Sequence, residues 1–143
     1  MRVRFDSALR VEKLGGDHWR LTAPLIVSIF AADYPRELRR LLVEPLSVPE
    51  GFETDFASVP RLPLAYLLTG NTAHRAAVAH DFLYTIRAER SFADDVFAAG
   101  MRAERVPGWR RWLMYTAVRV GGGSRYAEHP GTWPVQPEGP SGA

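Results

Sequence analysis

His80 and Tyr84 stand at i and i+4 in the stretch Ala76-Ala-Val-Ala-His-Asp-Phe-Leu-Tyr84. That spacing sets two side chains one above the other on a single helix face. Small residues, Ala73, Ala76 and Ala77, lie beneath them. A second segment of helical periodicity, Ser91-Phe-Ala-Asp-Asp-Val-Phe97, follows a short connection, which predicts an antiparallel helix pair. Asp94 and Asp95 open that second helix. If the helices cross there, an imidazole, a phenol and one or two carboxylates converge in an alanine-lined gap. A histidine bound to a carboxylate keeps one tautomer, and its other ring nitrogen can then act as a general base on water. Asp81 projects about 100° round the helix from His80 and so does not orient it. Together with loop carbonyls it can ligate a hard cation such as calcium.

Each of these residues also has a plainer role. A histidine on an alanine-rich helix is most often a partly buried side chain with one hydrogen-bond partner. Asp94, three residues after Ser91, fits the aspartate form of a capping box and a favourable charge at a helix start. Asp95 is most simply a solvated acid of the first turn, and Tyr84 a core aromatic with its hydroxyl at the edge. Thr54-Asp55-Phe-Ala-Ser58 is dense in side-chain oxygens: Asp55 and Ser58 can cap turns, and loops held in this way often line sites. Ser58 has no G-x-S-x-G context, which weakens serine-hydrolase chemistry. His74 projects to a different side of the helix from His80, which speaks against a paired-histidine metal phosphohydrolase.

The elements that would position these groups read as strands first and helices second, an α+β order. Residues 2–13 alternate loosely as one strand or a strand pair, Gly15-Gly16-Asp17 signals a turn, and His18–Thr22 resumes the alternation as a hairpin. Leu25–Phe30 reads as a central strand. Pro35–Val43 fits a short helix from Pro35 or a strand from about Leu38, and Pro45 and Pro49 favour the strand. Gly51 suits a positive φ within the 49–61 loop, and Leu62–Leu68 reads as buried. Asn71 or Thr72 is the expected cap of the His80 helix, roughly Ala73–Arg87, and the second helix runs from Ser91 to about Arg105. Pro107 opens a third helix with an expected buried stripe of Trp109, Trp112, Leu113, Thr116, Ala117 and Val120, leaving Arg110, Arg111 and Arg119 outside. Gly121-Gly-Gly123 is expected to end it. The expected organisation is one α+β domain over residues 1–121, an N-terminal antiparallel sheet followed by three helices, and a flexible Pro/Gly-rich tail over 122–143.

Composition narrows the function classes. A chain of 143 residues with a formal charge of +2 and 46% apolar residues suits one ordinary globular domain. The absence of cysteine excludes disulfide frameworks, thiolate zinc sites and cysteine nucleophiles. No apolar run is long enough for a membrane span, and Met1–Phe5 does not begin a signal peptide, so no integral membrane protein is expected. Outward arginines on a helix are usually just solvated, so no specific nucleic-acid partner is expected either.

Val48-Pro-Glu-Gly-Phe-Glu-Thr-Asp-Phe-Ala-Ser-Val-Pro-Arg61, His80-Asp-Phe-Leu-Tyr84 and Ala93-Asp-Asp-Val-Phe97, in that order, resemble a family of tailed-phage and prophage proteins classified as a domain of unknown function. The likeness covers roughly residues 2–121. It implies synthesis in a host cytoplasm, association with virions, and phage structural proteins or host envelope lipid as partners. Within it, His-Asp-x-x-Tyr on one helix with Ala-Asp opening the next is similar to the catalytic helix pair of phospholipase A2, especially the compact, cysteine-free form in parvovirus capsid proteins. That resemblance implies His80 as the base that activates water, Asp94 as its orienter, Tyr84 as a support and Asp81 as a calcium ligand. Gly70 and Asp55 join Asp81 as the candidate metal-ligating residues, and only Thr69-Gly70-Asn71 stands where that family has a glycine-rich calcium loop. The competing expectation is a non-enzymatic virion or tail-assembly component in which His80 and the aspartates stitch two helices together.

Overall fold

The computed structural model describes residues 1–16, 18–30, 45–55 and 73–128. It is an α+β chain with antiparallel strands first and helices second, as the element order predicts. β1 (Arg2–Phe5), β4 (Leu25–Phe30) and β5 (Leu46–Val48) form one antiparallel sheet with β4 in the middle. Phe5 opposes Val27 and Leu25 opposes Val48. Period-2 alternation turns Leu25, Val27 and Ile29 inward, where they meet Val3 and Val48.

The second sheet joins β2 (Val11–Gly15), β3 (His18–Leu21) and β6 (Glu53–Thr54), again antiparallel. The β2–β3 hairpin closes at Gly15 and Gly16, with φ of 145° and 54°, values that side chains rarely adopt. The loose alternation of residues 2–13 is thus two strands, one in each sheet. Leu21 pairs through its backbone with Gly51 and Phe52, which holds β6 against the hairpin. Gly51 has the positive φ that the loop asks for, 86°. The readings of Pro35–Val43, Ser58, Leu62–Leu68 and the Asn71 or Thr72 cap fall outside the described residues.

α1 (His74–Thr85), α2 (Arg90–Ala103) and α3 (Gly108–Glu128) follow. α1 is buried on nearly every side, between the sheets and the other helices. Glu104 reaches residues 75 and 76, Gly100 meets Ala76, and Asp94 meets His80 and Tyr84. Rising numbers on α1 meet falling numbers on α2, so the pair is antiparallel. A Cβ on Gly100 would stand 2.9 Å from that of Ala76, which is why small residues occupy the crossing. Both helices end in a left-handed arginine, Arg87 and Arg105, at φ of 60° and 59°. The bonds Ala88 N–H to Leu83 O and Val106 N–H to Met101 O complete a Schellman closure at each end.

α3 differs from expectation in two ways. Trp109, Trp112, Leu113 and Val120 are exposed, by 53, 67, 40 and 83%, while Met114, Val118 and Gly122 are buried. The inward face is the slimmer one, because α3 fits closely over α1 and α2 and bulky indoles would hold it away. The helix also runs through Gly121–Gly123 to Glu128 instead of stopping there. Met114 and Val118 pack with Phe97, Met101, Val106 and the alanines of α1 into a second core beside the sheet core.

Candidate functional site

Asp94 is the hub of the buried site. It lies on the second turn of α2, is 0% exposed, and faces His80 and Tyr84 on α1, which are 2% and 3% exposed. Its Oδ1 lies 2.7 Å from His80 Nε2 and accepts a hydrogen bond of 2.7 Å from the Tyr84 hydroxyl. Its Oδ2 accepts from Arg119 on α3 at 3.0 Å, and the Arg90 Nε lies 3.8 Å away. One helix turn stacks the two α1 rings, with centroids 4.1 Å apart, and Phe97 packs against the imidazole at 5.1 Å.

Burial and three hydrogen bonds act in opposite directions on the protonation of Asp94. Burial by itself would raise the pKa of Asp94, but the bonds from His80, Tyr84 and Arg119 outweigh it and hold the carboxyl below its usual range. An ionised carboxylate only accepts hydrogen bonds, so His80 carries a proton on Nε2, and in the neutral ring Nδ1 bears the lone pair. Burial and the anionic partner push the Tyr84 phenol well above its ordinary value, so it stays a donor throughout the neutral range.

Asp94 therefore does not serve the capping box expected at Ser91. The N-cap of α2 is Glu89, whose carboxylate takes the Ser91 hydroxyl, and α2 has no acid in its first turn. Asp95 is half-buried, with the Tyr115 hydroxyl at 3.4 Å. The start of α1 is capped from across the helix pair. Ala73 is its N-cap with no side-chain bond, and the Glu104 carboxylate accepts from the backbone N–H groups of Arg75 and Ala76 at 3.1 and 3.2 Å.

Asp81 turns away from this hub and towards β6, where its Oδ2 accepts the Thr54 hydroxyl at 2.7 Å. Asp55, the next residue, is half-buried. Gly70 lies outside the described residues. Of the six candidate site residues, His80, Tyr84 and Asp94 come together, and Asp81 sits at the adjoining strand.

A family model for proteins of unknown function, DUF1353, matches residues 32–118, more than half of the chain. The chain belongs to the DUF1353 family. No curated protein and no solved structure matches it. In this DUF1353 protein His80, Asp81, Tyr84 and Asp94 all fall inside the matched span, whereas Arg119 falls one residue beyond it.

Three further residues of the DUF1353 site escaped the sequence reading. Arg90 stands four residues before Asp94, a spacing that does announce an ion pair on a helix. Hydrophobicity alone puts the tryptophans inside and Arg119 outside, whereas in the structure Arg119 bonds Asp94. Gly122 comes within contact of the Tyr84 hydroxyl, and only the unusual run of three glycines hinted at such an approach. Among the described residues no group of three or more His, Asp or Glu side chains could hold a metal ion. Asp81 with Thr54 supplies far fewer than the six to eight oxygens that calcium takes.

Proposed function

We propose that this chain is a phage or prophage protein whose His80–Asp94 pair is a phospholipase A2-like hydrolytic site, acting on lipid or another ester at the host envelope. The observation that carries the reading is Asp94 Oδ1, which holds His80 Nε2 and the Tyr84 hydroxyl at 2.7 Å each from a neighbouring antiparallel helix. The phage assignment rests on the likeness carried by the three ordered motifs.

In this reading His80 Nδ1 takes a proton from water as the water oxygen bonds to the ester carbonyl carbon. The ester C–O bond then breaks, and the same proton passes to the leaving alkoxide oxygen. Asp94 stabilises the imidazolium that exists between the two transfers, and Tyr84 and Arg119 keep the carboxylate ionised and in place. Every step is carried by this chain's own residues.

A second reading is favoured by burial. His80 and Asp94, at 2% and 0% exposure, equally suit a structural clasp between α1 and α2 in a virion or tail-assembly component. Hydrolysis of mixed phospholipid vesicles, with calcium and with chelator, separates the two. The hydrolytic reading expects fatty-acid release that His80→Gln abolishes while circular dichroism shows an intact fold, and loss of release in chelator would give calcium a part. Full activity in the variant, or no release by folded wild-type protein from vesicles and from a soluble ester alike, hands the site to the clasp.

A further inference from the structure

The outer face of α3 has no partner among the described residues, and its chemistry selects one. Trp109, Trp112, Leu113 and Val120 fall at i, i+3, i+4 and i+11, one stripe exposed by 40–83%. Large apolar side chains lined up in water mark a contact surface, whereas scattered ones do not. Arg110 and Arg119 stand at the two edges of the stripe, about 100° and 280° round the helix from Trp109. Between positions 102 and 120 stand Arg102, Arg105, Arg110, Arg111 and Arg119 against a single acid, Glu104. Glu104 is already committed to Arg75 and to the start of α1. Arg110 lies over the Trp109 ring, 5.2 Å from its centroid, so cation and indole form one amphipathic unit. Indoles with an apolar body and a polar N–H, flanked by arginines, are the side chains that settle at the headgroup level of a bilayer.

We infer that the Trp109–Trp112–Leu113–Val120 face of α3 is an interfacial docking surface for an anionic lipid membrane. The helix lies on the membrane and does not cross it, since no described helix is long and apolar enough to span. The choice of lipid as occupant rests on the hydrolytic reading above, joined to the basic rim. Arg119, at the edge of the same stripe beside Trp112, also bonds Asp94, so the surface would bring the candidate site to the bilayer it works on.

The test measures binding and turnover separately. Full-length protein is floated with phosphatidylcholine vesicles and with vesicles that also contain phosphatidylglycerol, and tryptophan emission is followed. The proposal expects partitioning onto the anionic vesicles with a blue shift, weakening as salt rises. The double variant Trp109→Ala/Trp112→Ala, folded by circular dichroism, should lose about tenfold or more of that partitioning, because two amphipathic rings no longer bury area. His80→Gln should bind as the wild type does. Absence of wild-type binding, or equal binding by the double variant, overturns the surface. A dimer in sedimentation that the double variant converts to monomer, without vesicle binding, also overturns it and assigns the face to a second copy of this chain. Vesicle binding without hydrolysis leaves the surface standing and removes only the catalytic reading. Hydrolysis of a soluble ester without vesicle binding does the reverse.

Discussion

A Cβ on Gly122 would stand 2.8 Å from the hydroxyl oxygen of Tyr84. That oxygen cannot retreat easily, since it is fixed on Asp94 at 2.7 Å and its ring is buried against His80. α3 thus rests its glycine run on the site, and the run is a fitting surface as well as a weak piece of helix. Gly122→Ala should destabilise the protein although alanine is the better helix former by about 1 kcal/mol. Gly121→Ala, where a Cβ meets nothing within 4 Å, should gain up to about that amount. Urea midpoints moving in opposite directions would establish the contact. A gain in both would mean that α3 does not press on Tyr84.

The cap on α1 comes from a residue distant in sequence. Glu104 serves two N–H groups and the Arg75 side chain, at 3.1–3.2 Å. Glu104→Ala leaves those donors without their carboxylate and should cost about 1–2 kcal/mol, as lost caps do. Glu104→Gln keeps an acceptor and should cost less. Equal losses in the two variants would assign the effect to the charge pair with Arg75 and not to the cap.

Local patterns made much of this architecture readable. Alternation in Leu25–Phe30, the Gly15-Gly16 turn and the i, i+4 pair His80/Tyr84 each depend on near neighbours, and each appears where the pattern puts it. What was not readable depends on which face a helix turns inward. α3 carries two apolar faces, and hydrophobicity favours the one with the tryptophans. Met114 and Val118 pack with Ala76 and Ala77 instead, and Gly122 fits against Tyr84. Arg119, expected outside, bonds Asp94. The capping error has a similar origin. Ser91 and Asp94 match a capping box in sequence, but Asp94 is taken by partners on two other helices. Nor do the arginines at the two Schellman closures announce themselves, since glycine is the residue expected there.

The three hydrogen bonds on Asp94 have a consequence at acid pH. Its folded carboxyl titrates below the ordinary value of 3.8, because the bonds from His80, Tyr84 and Arg119 outweigh the opposing effect of burial. A group depressed in this way adds stability that is complete above the ordinary carboxylate range and is lost as pH falls through the folded value. The unfolding free energy should therefore hold near neutrality and fall below about pH 4. Asp6 is depressed too, by Ser28 and Arg4, so the contribution of Asp94 is read as the difference between wild type and variant. Asp94→Asn keeps the shape and removes the titration. It should be less stable at pH 7 by about 1.5–3 kcal/mol, the range for a hydrogen bond to a charged group, and the gap should narrow as the wild type protonates. Asp94→Ala strands the buried donors His80 and Tyr84 on α1 and should lose about 1–3 kcal/mol for each. A gap between wild type and Asp94→Asn that stays constant from pH 7 to pH 3 would show that these donors do not hold the carboxylate ionised. The fixed tautomer of His80, and with it the base on which the hydrolytic reading depends, would then lose its physical support.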